Sequence, residues 1–161
     1  MRNLIIITIA ALIFFFVEFI IFNQLGPWLT PNLLLLLMIF FGLFLGIRFS
    51  LYIAVLAGII RDSFSTDIFG IYLFSFVLCA FILSFIERNI YHRGSHSSRM
   101  VTVFFVSSIF VISQFVIRLM FYPLNPFFAF KNIYIPEVIT TLLVTTFIFT
   151  LLKKCVSRYF V

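Results

Sequence analysis

Groups able to do chemistry are few in this chain and lie far apart. Its carboxylates are Glu18, Asp62, Asp67, Glu87 and Glu137, none beside another acid, so no adjacent pair offers the acid and base of a hydrolytic reaction. His92 and His96 have the i,i+4 spacing that metal sites use, but Ser, Gly and Arg surround them and no carboxylate or cysteine stands near. A zinc site needs three or four ligands and is not expected. Cys79 lies within an apolar run and Cys155 in a basic tail, so the two should sit at different membrane depths and stay unpaired. Gly-x-Ser-x-Gly, a phosphate-cradling glycine loop and His-Glu-x-x-His are absent from the sequence. The expectation is a protein that is not an enzyme and carries no cofactor.

The setting of these groups explains their scarcity. Of 161 residues, 64% are hydrophobic, 20% aromatic and 10% charged, with a mean hydropathy of +1.26; five acids and eleven bases cannot coat a soluble domain. The fold expected is an all-α polytopic membrane domain over residues 1–161, with membrane lipid as its surroundings. The net charge of +6 is scattered at the ends of apolar runs rather than gathered on one face, so no nucleic-acid partner is expected.

Six helices must then position the polar residues, spanning about 4–22, 33–47, 50–64, 68–86, 101–122 and 136–152 at helical rise. The first run ends in Phe-Asn-Gln with no small-residue cleavage site, so it reads as an uncleaved helix rather than a signal peptide. Gly26-Pro27-Trp28 marks an outside turn with an interfacial Trp. The long run from Leu33 to Ile60 is broken by Gly46-Ile47-Arg48-Phe49-Ser50, which makes it two arms. Gly42 and Gly46 share one face of the first arm, Ala54 and Gly58 repeat the spacing on the second, and the two arms are expected to pack closely on each other.

Charge sets the orientation. With both termini cytoplasmic, Arg2, Arg48, Arg88, Arg93, Arg99, Lys153, Lys154 and Arg158 fall inside, and Arg61, Arg118 and Lys131 outside. A five-helix alternative would place Arg88, Arg93 and Arg99 outside and bury Arg48. In the six-helix arrangement Glu18, Arg61, Asp62, Arg118 and Glu137 form one outer polar layer, and Ser107, Gln114 and Arg118 draw a polar stripe on the fifth helix. An outward pocket is one expectation there and simple snorkelling of Glu18 and Arg118 to the outer interface the other, with Asp62 either capping a helix that begins near Thr66, meeting Arg61, or pairing with Arg118.

Thr30-Pro31-Asn32 before a Leu-rich arm, the glycine hairpin, Ala57-Gly58-Ile59-Ile60-Arg61-Asp62, the Asp67-Ile68-Phe69-Gly70 turn, Ile135-Pro136-Glu137-Val138 and a basic tail resemble the rod shape-determining protein MreD family. The resemblance covers nearly the whole chain and adds Pro31, Asn32 and Gly70 to Gly42, Gly46 and Gly58 as partner-binding or packing positions. It implies a non-enzymatic scaffold in the bacterial inner membrane that binds MreC and helps control peptidoglycan synthesis and cell shape. Through MreC it would act indirectly with MreB, RodA and the transpeptidase partner of RodA. That family is similar in fold to the S-components of energy-coupling-factor transporters, which implies an S-component-like bundle and leaves a vitamin-type small-molecule binder as the alternative function.

Overall fold

The computed structural model describes residues 2–22, 24, 31–65, 68–89, 96–121 and 135–159. Trp28, Asp67, His92, Lys131 and the side chains of His96 and Cys155 lie outside what is described. The described chain is helical: α1 (Arg2–Val17) runs on into a π-helical turn (Glu18–Phe22), followed by α2 (Leu33–Leu45), α3 (Ile47–Phe64), α4 (Ile71–Asn89), α5 (His96–Phe121) and α6 (Ile135–Tyr159). By length and composition Ile71–Arg88, Ser97–Phe121 and Ile135–Lys153 can cross a membrane, while Ile5–Ile20 and Leu33–Leu45 are shorter apolar helices.

The bundle is built around α2. Every residue from Leu33 to Leu43 is buried, as expected of a helix that is apolar on all sides. It touches α1, α3, α4, α5 and α6. Its 13 residues reach only about 20 Å at helical rise, too short for a bare lipid span. Surrounded by protein, α2 has no lipid thickness to match. The lipid-facing surface is supplied by its neighbours, with Ile5, Ile9, Ile13 and Phe16 exposed on α1 and Phe74, Phe81 and Phe85 on α4.

Two glycines set helix boundaries by conformation. Gly46 has φ +90°, and Gly70, just before α4, has φ +104°, a region closed to most L-residues. The chain therefore reverses at Gly46 with no longer loop. The two arms do pack on each other, but their glycines serve different contacts. A Cβ on Gly46 would meet nothing within 4 Å, so its role is the turn. A Cβ on Gly42 would lie 3.1 Å from Ser50 on α3 but 2.5 Å from Leu83 Cδ2 on α4. On Gly58 it would lie 2.5 Å from the Leu73 Cα. Gly58 thus admits the first turn of α4 rather than the opposite arm.

Side-chain contacts gather one end of every helix. Glu18 reaches the start of α2, Asn32 reaches the start of α6, Asp62 reaches the start of α4, and Arg118 near the end of α5 reaches Tyr72. The helices therefore alternate in direction. Arg48, Arg88, Arg99 and Lys153 fall toward the other end, consistent with the expected charge asymmetry.

Candidate functional site

The first four N–H groups of a helix have no partner within it, and in a membrane each one left bare costs several kcal/mol. In α2 all four are met. Glu18 Oε2 accepts from the N–H of Leu33 at 2.9 Å and of Leu34 at 3.3 Å. Asn32 Oδ1 accepts from Leu35 N at 3.0 Å, and the fourth group, the N–H of the capping Asn32 itself, donates to Thr141 Oγ1 at 3.0 Å. The same solution recurs at α4. Asp62 Oδ1 accepts from Tyr72 N at 3.1 Å and Oδ2 from Leu73 N at 3.0 Å, while Ile71 N and Phe74 N donate to Ile68 and Gly70 carbonyls. In both cases a carboxylate on one helix caps the next, where it also faces the positive end of the helix dipole.

This gives a physical account of the Gly58 to Asp62 segment. The two residues are one turn apart and so share a face of α3. Gly58 lets the backbone of α4 come close, and at that distance Asp62 can bind its free N–H groups. Asp62 is accordingly buried at 3% exposure.

Of the roles open to Asp62 the structure shows a helix cap, at α4, and the arginines reach other elements. Arg61 Nη2 forms an ion pair with Glu18 Oε1 across α3 and α1, and its guanidinium stands 5.5 Å from the centroid of the Tyr72 ring. Asp62, beside it in sequence, points to α4. Arg118 Nη2 donates to Tyr72 Oη at 2.9 Å and lies 5.8 Å from the same ring centroid. Asp62 and Arg118 thus both bind Tyr72, one at its backbone and one at its side chain. Glu137 Oε1 accepts from Asn32 Nδ2 at 3.2 Å, and Asn32 N donates to Thr141 Oγ1 at 3.0 Å, which ties α6 to the start of α2.

These groups border a cavity of about 310 Å³. Its lining joins the polar Glu18, Arg61, Ser65, Tyr72, Gln114, Arg118 and Glu137 to the aromatic Phe15, Phe19 and Phe64, of which Phe15 is buried and Phe19 and Phe64 are exposed. Phe15 packs on Phe64 at 5.0 Å between centroids, and Phe19 on Phe64 at 6.3 Å. Gln114 is 3% exposed, yet its Nε2 has no hydrogen-bond partner among the described residues, and neither has Ser65 Oγ.

The outer polar set Glu18, Arg61, Asp62, Arg118 and Glu137 is therefore brought to one end of the bundle, with Glu18, Arg61, Arg118 and Glu137 on one cavity and Asp62 bound behind it. Asn32 belongs to this end, and Pro31 beside it is buried. Gly42 and Gly46 do not. The polar stripe on α5 divides: Ser107 donates to its own helix carbonyl at Phe104, 3.1 Å away, while Gln114 and Arg118 face the cavity. Tyr72 and Thr141 were missed by sequence reasoning. Thr141 could have been found as the residue one turn after Glu137. Tyr72 gave only the signal of a hydroxyl-bearing ring near one end of its span. Among the described residues no group of three or more metal-ligating side chains gathers.

The profile of the family described as rod shape-determining protein MreD matches residues 1–156. No curated protein and no solved structure matches the chain.

Proposed function

The chain belongs to the MreD family of rod shape-determining proteins, and from that premise we propose that it is a non-enzymatic, multi-pass scaffold of the bacterial cell-elongation complex. In this reading it crosses the inner membrane six times with both termini cytoplasmic, binds the bitopic protein MreC, and through it bears on MreB filaments and on the polymerase pair of RodA and its transpeptidase. The observation that carries the reading is how the polar residues of the outer end are used. Glu18, Asp62 and Asn32 hold helix starts, and Arg61 closes an ion pair. Such a layer fixes the relative position of helices, which a scaffold requires.

The test is affinity purification from native membranes in mild detergent, with identification of the co-eluting proteins. MreC should co-elute with the wild-type chain and be lost with Asp62→Ala at equal membrane abundance, and cells relying on that variant should round up. Purification that never brings down MreC, or normal rods from Asp62→Ala, refutes the scaffold reading. The cavity is the observation that favours the second reading, a vitamin-type binding component; co-elution with a transporter's ATPase and coupling subunits instead of MreC would establish it.

A further inference from the structure

The scaffold reading leaves the outer cavity without a use. It is not a packing defect between apolar side chains, because charged and polar groups border it. A buried amide with no partner is costly, and among the described residues Gln114 Nε2, on the α5 residue that lines the cavity, is such a donor. Ser65 Oγ repeats the situation at the end of α3. An occupant that supplies hydrogen-bond acceptors would satisfy both.

The charges around the cavity narrow its chemistry. Two arginines, Arg61 and Arg118, are matched by two glutamates, Glu18 and Glu137, so a purely anionic or purely cationic guest would meet like charge on one side. On α5, Gln114 and Arg118 are one turn apart and share a face, which presents an amide donor and a cation together. Glu137 faces them from α6. Beyond this polar side lie Phe19 and Phe64, 49% and 64% exposed, an apolar rim at the outer ends of α1 and α3. A polar recess under an exposed aromatic rim suits a molecule with a charged head and an apolar tail.

We propose that this cavity seats the headgroup of a zwitterionic phospholipid, with its phosphate against Gln114 and Arg118, its ammonium toward Glu137, and an acyl chain over Phe19 and Phe64. The inference goes beyond the scaffold reading and does not depend on which protein partner binds. The volume of about 310 Å³ is at the lower end of ordinary ligand sites, enough for a headgroup and not for a whole lipid, so the chain must leave across the rim.

The full-length protein, purified in mild detergent, is titrated with phosphatidylethanolamine, phosphatidylglycerol or water-soluble glycerophosphoethanolamine, and adducts are read by native mass spectrometry together with thermal stability. One phosphatidylethanolamine should be retained per chain, at about tenfold or more lower concentration than phosphatidylglycerol, whose headgroup lacks the ammonium. Gln114→Leu should lower that retention about tenfold or more, because a hydrogen bond to a charged phosphate is lost. The lipid-free variant should be at least as stable as wild type, because it no longer buries an unpartnered amide. Should Gln114→Leu fail to fold, Ser65→Ala reads the same site and should cost severalfold in retention. Equal retention of the two lipids, glycerophosphoethanolamine as effective as the intact lipid, or variants that retain lipid like wild type would each overturn the proposal.

Discussion

Replacing Gly58 by alanine tests the link between close packing and helix capping most directly. The new Cβ would lie 2.5 Å from the Leu73 Cα, 3.0 Å from its Cδ1 and 3.1 Å from its Cβ. Carbon pairs settle near 3.5 Å or more, so α4 must retreat by about 1 Å, and the nearest obstacle is backbone, which cannot rotate away. A gap of that size forfeits up to about half of each dispersion contact it opens, and overpacking of this kind costs about 1–3 kcal/mol. Alanine returns about 1 kcal/mol through its better helix propensity. With about 1 kcal/mol added for lengthening the Asp62 bond to Leu73 N, now 3.0 Å, a net loss of about 1–3 kcal/mol is expected. The control is Gly42→Ala, whose Cβ meets the end of a leucine side chain at 2.5 Å and should cost less because Leu83 can turn. Equilibrium unfolding of the purified variants in detergent and denaturant measures both. Gly58→Ala and Asp62→Ala should also be less than additive together, since each loosens the same turn of α4. Wild-type stability of Gly58→Ala, or a larger loss for Gly42→Ala, would refute the reasoning.

Asp62→Asn keeps one acceptor but turns an amide N–H toward a backbone donor, so it should lose about 1 kcal/mol and Asp62→Ala about 2 kcal/mol, within the range of helix caps; denaturant midpoints give the order. Glu18→Ala removes both the partner of Arg61 and the cap of α2, whereas Glu18→Gln keeps an acceptor for α2. The first should destabilise by about 2–3 kcal/mol and the second by less, and a double-mutant cycle with Arg61→Ala should show coupling of about 1 kcal/mol or more, failing which the ion pair is idle. Gly46→Ala should lose about 1–3 kcal/mol through backbone strain alone, since φ is +90° and no atom stands in the way; a neutral result would show that the turn relaxes at no cost. In a background lacking Cys79 and Cys155, an impermeant thiol reagent applied from outside should modify a cysteine at Gln24 and not one at Arg48 or Ser97, all three exposed positions; labelling at Ser97 would refute six spans.

Much of this was legible in the chain because a membrane makes composition and depth readable. The apolar runs gave a helical membrane protein, Gly46 marked the break between α2 and α3, and counting residues from the ends of the runs placed Glu18, Arg61, Asp62, Arg118 and Glu137 at one level. Depth follows from a fixed rise per residue. Direction around the helix axis does not, and it decides partners. Arg61 and Asp62 are adjacent, so their side chains diverge by about 100°, and only the packing of α3 against α1 and α4 determines that one meets Glu18 and the other caps α4. Gly58 likewise could have faced either neighbour, since a small residue signals close approach without saying to what. The central place of α2 was hidden for a related reason: a helix apolar on every side has no face for periodicity to reveal, and its burial depends on five other helices closing around it.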